Sequence, residues 1–188
     1  MARIMILAIS GSLRAASHNT SLLHATARVA PAEICVELYR DLGKLPLFNP
    51  DLEGDDPPAV ASLREKLIAV DAVLIASPEY AHGVSGVLKN ALDWMVSSEA
   101  FVNKPVALLN ASPRAVHAQA SLKETLTVMS AHIVEEASIT VPILGLGLDE
   151  AGIVNHVDIS KALYEALRAL QTATLQFRVE VMNSSATT

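Results

Sequence analysis

Cysteine is almost absent from the sequence, since Cys35 is the only one among 188 residues. An intramolecular disulfide is therefore impossible, and a reducing, cytoplasmic location is expected. Cys35 lies between Ile34 and Val36, with no basic residue beside it to stabilise a thiolate. We therefore predict a buried thiol with no catalytic role.

Positive charge and long apolar runs are also scarce. The chain has 14 Lys and Arg against 20 Asp and Glu, which gives a formal net charge of -6 and argues against nucleic acid as a partner. The first apolar run, between Arg3 and Ser10, is only about six residues long, too short for a signal segment or a membrane span. The 6 histidines never fall at a metal-ligand spacing such as H-E-x-x-H, so we expect no metal site.

The residues that are present predict a compact α/β protein. Apolar residues make up 51% of the chain and charged residues 18%, which is enough to build a core. The length fits one domain, which we place at residues 1–181, followed by a disordered tail at 182–188.

Five apolar segments alternate with amphipathic patterns along the chain. We predict strands at residues 4–9, 33–39, 72–76, 105–109 and 133–143, each followed by a helix, of which the last is long. This alternation predicts a doubly wound sheet of five parallel strands with helices on both faces. Ligands of such sheets bind at the carboxyl ends of the strands, so the loops after strands one, three and four should carry the site.

The loop after strand one, residues 11–20, has the composition of a phosphate cradle. Hydroxyl, amide and guanidinium donors lie just before the first helix, where free backbone N–H groups favour an anion; they are Ser12, Arg14, Ser17, Asn19 and Thr20. The loop matches neither the P-loop nor the G-x-G-x-x-G pattern, which favours a mononucleotide. The alternative is that Ser17 or Asn19 only caps the helix.

Two segments carry a resemblance to a known family. The first segment is Gly11-Ser12-Leu13-Arg14, followed by Ser17 and Asn19. The second segment is Pro78-Glu79-Tyr80-Ala81-His82. It leads into a helix that ends with Leu88-Lys89-Asn90-Ala91-Leu92-Asp93-Trp94. With residues 45–52 between them, these segments resemble the NADPH-dependent FMN reductase family over roughly residues 4–114.

The resemblance implies a flavodoxin-like fold that binds FMN. It places the phosphate on the first loop and the isoalloxazine ring against Pro78, Glu79, Tyr80, Ala81 and His82, whose backbone would donate to the polar edge of the flavin. Tyr80 and His82 are candidate substrate-pocket residues, although for His82 the alternative of a loop histidine without such a role is favoured. Ala81 stands where the family most often has asparagine.

The loop after strand four departs from the family's G-A-S-x-G sequence at both glycines. Ser112 remains a candidate flavin contact, whereas Asn110 and Arg114 replace the glycines and should change the backbone of the loop. Arg114 either attracts the 2′-phosphate of NADPH or is a solvated surface arginine. On the preceding helix, we assign Lys89, Asn90, Asp93 and Trp94 to packing or subunit contacts.

The function implied is electron transfer from NADPH or NADH, through FMN, to a small acceptor by a ping-pong mechanism. Free flavin, a quinone, an azo compound or an oxidised metal ion would suit an open flavin face, and the family suggests a homodimer or homotetramer. Hydrolytic or nucleophilic catalysis has no support in the sequence. Two alternatives keep the fold: a flavodoxin-type electron carrier or flavin-binding module, and a protein that has lost the flavin through changes at residues 81, 110 and 114.

Overall fold

The computed structural model describes residues 3–185 and shows an α/β architecture. Its strands are β1 (Ile4–Ser10), β2 (Ile34–Tyr39), β3 (Ala72–Ala76), β4 (Glu79–Tyr80), β5 (Gly83–Val84), β6 (Pro105–Leu109) and β7 (His132–Ile133). Its helices are α1 (His18–Val29), α2 (Pro58–Ala69), α3 (Gly86–Met95), α4 (Val116–Val128), α5 (Glu150–Asn155) and α6 (Val157–Ser185).

The central sheet has five parallel strands in the order β2-β1-β3-β6-β7, and β4 and β5 form a separate antiparallel hairpin. The predicted doubly wound, flavodoxin-like fold is therefore confirmed. The chain moves outward from β1 to β2 and then crosses back to β3 on the other side of β1. Crevices at such a reversal of strand order are where ligands bind, and here the crevice lies beyond the carboxyl ends of β1 and β3.

Both faces of the sheet are buried, which explains why the strands are continuously apolar. On β1, Ile4, Ile6 and Ala8 pack against α1 and α6, whereas Leu7 and Ile9 pack against α2 and α3. Side chains alternate between the two faces of a strand, so a strand covered on both faces needs an apolar residue at every position. Cys35 is only half-buried, contrary to our expectation, because β2 is an edge strand with a neighbour on one side.

The fifth strand of the sheet is much shorter than predicted. We expected residues 133–143, but β7 contains only His132 and Ile133, followed by a 3₁₀ turn at Glu135–Ala137 and a single bridge between Asn110 and Thr140. The Ser138 side chain interrupts the ladder: its Oγ accepts a hydrogen bond from the Leu108 backbone N (3.0 Å) and donates to the Val134 carbonyl (2.9 Å).

The C-terminal helix is longer than predicted. Residues 182–185, which we expected to begin a tail, belong to α6, and residues 186–188 lie outside the described part. No glycine or proline follows Gly152, so the sequence contains no strong helix breaker there. Arg178 of α6 forms an ion pair with Asp71, which also accepts a hydrogen bond from the Met5 backbone N (2.8 Å). Within residues 3–185, no helix is long and apolar enough to cross a membrane.

One buried polar group in the core gives a stability prediction. Tyr39 is 6% exposed, and its hydroxyl has no hydrogen-bond partner among the described residues. Burial, with a smaller contribution from Asp41, raises the pKa of this phenol. We expect Tyr39→Phe to increase the free energy of unfolding by about 1 kcal/mol, because it removes an unsatisfied buried hydroxyl.

The pH dependence of unfolding gives a second readout for this variant. The folded state favours the neutral phenol, so the wild type should lose stability as the pH rises above the unfolded pKa of about 10. Tyr39→Phe should lack this contribution. Urea denaturation at neutral and alkaline pH measures both effects, and a less stable phenylalanine variant would show that the hydroxyl is satisfied.

Candidate functional site

A cleft of about 300 Å³ opens where β1, β3 and β6 end. The loops that follow these three strands form its walls, as expected for a parallel sheet. Its lining includes Ser12, Arg14, Ser17, Asn19, Ser77, Pro78, Glu79, Tyr80, Asn110, Ser112 and Arg114. The structure thus brings together the three loops that the sequence singled out.

The β1–α1 loop presents the amino end of α1 to the cleft. Ser17 caps the helix, its Oγ accepting a hydrogen bond from the Thr20 backbone N (3.3 Å). The backbone N–H groups of His18 and Asn19 have no acceptor within residues 3–185. Unpaired N–H groups at a helix amino terminus attract anions, and the Ser17 hydroxyl keeps its own proton for donation.

Asn19 is the most informative residue of this loop. The residue is 8% exposed, and its Oδ1 has no hydrogen-bond partner among the described residues. Its Nδ2, unlike Oδ1, is accessible and makes no hydrogen bond to the described residues, so the NH₂ is free to donate to a ligand. A buried amide without a partner beside free helix N–H groups fits a phosphate.

Thr20 lies outside the cleft lining, although it was predicted among the phosphate ligands. Its hydroxyl is 2.8 Å from the Ser10 hydroxyl, which also accepts a hydrogen bond from the Ser12 backbone N (3.3 Å). Thr20 therefore stabilises the β1–α1 loop through Ser10, on the side away from the cleft. The Ser12 hydroxyl in turn accepts from the Arg14 backbone N (3.3 Å), so side-chain oxygens hold much of this loop.

Gly11 permits the loop after β1 to contact the loop after β3, a role that our sequence analysis missed. Its N–H donates to the Ala76 carbonyl (2.8 Å), and a Cβ placed on it would lie 2.5 Å from Ser77 Oγ. No side chain fits at that distance. The close approach of β1 and β3 at the cleft floor therefore requires glycine.

The predicted ring-binding segment forms the β4–β5 hairpin. Tyr80 pairs with Gly83, which leaves Ala81 and His82 as a two-residue turn, with φ values of 47° and 60°. Tight hairpin turns with positive φ at both central residues favour asparagine and glycine, and this explains why asparagine suits position 81. Ala81 and His82 are exposed and lie outside the cleft lining, whereas Pro78, Glu79 and Tyr80 are part of it.

This turn gives a second stability prediction. Alanine pays a steric penalty at positive φ that asparagine largely avoids, so Ala81→Asn should raise the free energy of unfolding by about 1 kcal/mol. Ala81→Val is the matched comparison and should lower it, because a β-branched residue tolerates this conformation poorly. Thermal unfolding of the three proteins tests the expectation. Equal midpoints for all three would show that the turn adopts another conformation.

The hairpin packs against α4, and two of the contacts between them involve specific side chains. Glu79 Oε2 accepts a hydrogen bond from the Ala118 backbone N at 2.8 Å, and the His82 ring stacks on His117 with centroids 4.2 Å apart. Ala118 is the third residue of α4, and the residue before the helix, Ala115, makes no side-chain cap. The two residues are 39 positions apart in the sequence, so no local pattern could indicate this contact.

The β6–α4 loop is held by the residue that replaces a family glycine. Asn110 donates its backbone N–H to the Ile139 carbonyl (2.9 Å), accepts from Val141 N (2.7 Å), and its Oδ1 accepts from Ser112 N (3.0 Å). The side chain of Asn110 thus builds the turn. Arg114, exposed at the cleft, has no carboxylate partner among the described residues, and the same is true of Arg14.

The model of the NADPH-dependent FMN reductase family matches residues 4–143. This chain belongs to that family. An NAD(P)H-dependent FMN reductase of Pseudomonas aeruginosa is 34% identical over 174 residues, covering 89% of this chain and 94% of the relative. An NADPH:quinone oxidoreductase of Arabidopsis thaliana is 42% identical over 113 residues, 57% of either chain.

A solved structure extends the likeness over the whole fold. The flavoenzyme FerB, an NAD(P)H:(acceptor) oxidoreductase from Paracoccus denitrificans, superimposes with a TM-score of 0.78 at 28% identity, covering 92% of this chain and 98% of that one. The family, the enzyme class and the flavin and NAD(P)H cofactors predicted from the sequence are confirmed.

Two of the four α3 residues that we assigned to packing or subunit contacts in this FMN reductase family member, Asn90 and Trp94, pack against the loop after β2. Asn90 Nδ2 and Trp94 Nε1 both donate to the Pro46 carbonyl, at 2.9 and 2.8 Å, and Asn90 Oδ1 accepts from Phe48 N (2.8 Å). Lys89 and Asp93 form an ion pair on the outer side of the helix. These bonds fix the loop after β2 beside α3.

Proposed function

We propose that the cleft holds FMN, with the phosphate at the amino end of α1 and the ring against the β4–β5 hairpin. The observation that carries this assignment is Asn19, whose buried side-chain amide lacks a partner beside the free N–H groups of the helix. Ser12, Ser17 and Arg14 supply further donors on the same wall. Together they can surround a phosphate dianion with uncharged donors and one cation.

The hairpin would orient the ring. Pro78, Glu79 and Tyr80 line the cleft, and N–H groups of this segment would stabilise negative charge on the polar edge of the ring. Ser112 lines the opposite wall. When bound, FMN supplies hydride acceptance from NAD(P)H and onward electron transfer.

The acceptor and NAD(P)H would use one open cleft in turn, which supports a ping-pong order. We propose quinones and free flavin as acceptors, in agreement with the names of the relatives, and azo compounds and oxidised metal ions as further candidates. Tyr80, 59% exposed at the cleft, offers an aromatic surface to flat substrates.

We further propose a cytoplasmic homodimer or homotetramer in which residues 1–181 act as one domain. Leu13 and Leu47 support self-association, because they are 60% and 85% exposed on the loops after β1 and β2. Exposed large apolar side chains on neighbouring loops are typical of contact surfaces. Sedimentation of the purified protein measures the assembly.

An anaerobic stopped-flow titration tests the proposed function. The protein is loaded with FMN and mixed with NADPH or NADH while the visible flavin absorbance is followed, and a quinone is then added. We expect rapid bleaching in one two-electron step and recovery with the quinone. Bound FMN that does not bleach would favour an electron carrier instead, and failure to bind FMN would overturn the site assignment.

A further inference from the structure

We propose that Glu79 is a positioning residue that locks the β4–β5 hairpin onto α4 and thereby fixes one wall of the cleft relative to the other. The inference rests on the proposed function of the cleft. It gives the Glu79 side chain a role of its own, through the first turn of α4, beside the backbone contact with the flavin that the family resemblance implied.

The carboxylate of Glu79 forms a hydrogen bond with the backbone of α4. Glu79 Oε2 accepts the Ala118 N–H at 2.8 Å, at the third residue of α4, where a cap from Ala115 is missing. A negative charge at a helix amino terminus also interacts favourably with the helix dipole.

The hairpin needs such an anchor because its local support is weak. Its strands contain two residues each and are not joined to the central sheet, and the turn holds Ala81 and His82 at positive φ. An isolated two-stranded hairpin is marginally stable even when longer. Both strands of the hairpin pack against α4, and the Glu79 hydrogen bond and the stacking of His82 on His117 are the specific side-chain contacts between them.

Helix α4, whose backbone donates to Glu79, follows directly after the β6–α4 loop that forms the opposite wall of the cleft. The β6–α4 loop contributes Ser112 and Arg114 to the cleft, and the Ala115 backbone N donates to the Ser112 carbonyl (3.1 Å) as the chain enters α4. The hydrogen bond at Ala118 is therefore the direct side-chain to backbone link between the wall that carries the hairpin and the helix that follows Ser112. Loss of this bond should loosen the hairpin on α4.

The test compares Glu79→Ala, Glu79→Gln and a matched control, Asp149→Ala. Asp149 Oδ1 caps α5 in the same way, accepting the N–H of its third residue, Gly152, at 2.8 Å. The next residue, Glu150, pairs with Arg28 in the last turn of α1, at the end of that helix opposite the cleft. Both alanine variants thus lose one carboxylate cap, but only one of the caps belongs to the cleft.

The readouts are the FMN dissociation constant, from fluorescence titration of the apoprotein, and amide hydrogen exchange. Glu79→Ala should raise the dissociation constant about tenfold, comparable to the loss of one good cap. Exchange at Ala118 and in residues 79–84 should accelerate. Glu79→Gln keeps an acceptor oxygen and should recover most of the affinity, and Asp149→Ala should bind FMN like the wild type.

The possible outcomes test the positioning role of Glu79 and the proposed function of the cleft separately. If FMN affinity and hydrogen exchange are unchanged in Glu79→Ala, the positioning role is overturned. The proposed function still stands in that case, provided that the wild-type protein binds FMN. An equal loss in Asp149→Ala would mean that the effect is general destabilisation, which also overturns it. If the wild type fails to bind FMN, the proposed function falls, and hydrogen exchange in the apoprotein still tests the link. Should Glu79→Ala not fold, Glu79→Leu fills the side-chain volume without an acceptor: faster exchange at Ala118 in Glu79→Leu than in Glu79→Gln upholds the link, and equal rates overturn it.

Discussion

Gly11→Ala is expected to weaken FMN binding by about a hundredfold and to destabilise the protein by about 1–3 kcal/mol. The new Cβ would lie 2.5 Å from Ser77 Oγ, 2.9 Å from Ser77 Cβ and 3.0 Å from Ser85 Oγ. Ser77 is 2% exposed and cannot swing into solvent. The β1–α1 loop would therefore have to move away from β3, and the phosphate donors would move with it.

Urea denaturation and an FMN titration measure the two effects, and Gly86→Ala is the matched control. Gly86 is the first residue of α3, and a Cβ there meets no heavy atom within 4 Å. Alanine is the better helix former, so this variant should be neutral or more stable by up to about 1 kcal/mol and should bind FMN normally. Wild-type FMN affinity in Gly11→Ala would show that the loops are not tightly packed.

A second substitution tests whether the contact with Ser77 causes the loss. Gly11→Ala combined with Ser77→Gly removes both atoms nearest to the new Cβ, so the double variant should regain part of the FMN affinity. Recovery beyond the sum of the single effects would demonstrate coupling between the two positions. Simple additivity would place the cause elsewhere in the loop.

The central strands were predictable because burial on both faces dictates their composition. The apolar runs at residues 4–9, 72–76 and 105–109 match β1, β3 and β6 closely. The same reasoning overestimated the fifth strand, because residues 133–143 are also rich in apolar residues. There a hydroxyl, Ser138 Oγ, replaces the strand carbonyl as acceptor for Leu108 N, and periodicity contains no information about such a bond.

The parts of the site that are contiguous in sequence were predictable, and the contacts between them were not. Asn19 and Tyr80 lie in short segments whose composition or family resemblance singles them out. The Glu79 contact with Ala118 and the approach of Gly11 to Ser77 depend on where separate loops meet in space. Ala81 was recognised as a departure from the family, but its consequence required the positive φ of the turn.

Arg14→Ala is expected to weaken FMN binding by about ten- to a hundredfold. Arg14 is exposed at the cleft beside the amino end of α1 and has no carboxylate partner within the described chain, so its guanidinium is available to a phosphate. Hydrogen bonds to charged groups contribute about 1.5–3 kcal/mol, and each 1.4 kcal/mol changes the dissociation constant tenfold. Riboflavin has no phosphate, so its affinity should be the same in wild type and variant.

Arg114→Ala is the matched control, since it removes the other unpaired arginine from the opposite wall of the same cleft. It should leave FMN affinity unchanged. If Arg114 recognises the 2′-phosphate of NADPH, the variant should lose rate with NADPH but not with NADH, whereas a solvated arginine would change neither. Added salt should weaken FMN binding more in the wild type than in Arg14→Ala, because screening acts on the charge that the variant lacks. If Arg14→Ala weakens riboflavin and FMN equally, its guanidinium does not contact the phosphate, and the cradle consists of Ser12, Ser17, Asn19 and the helix N–H groups alone.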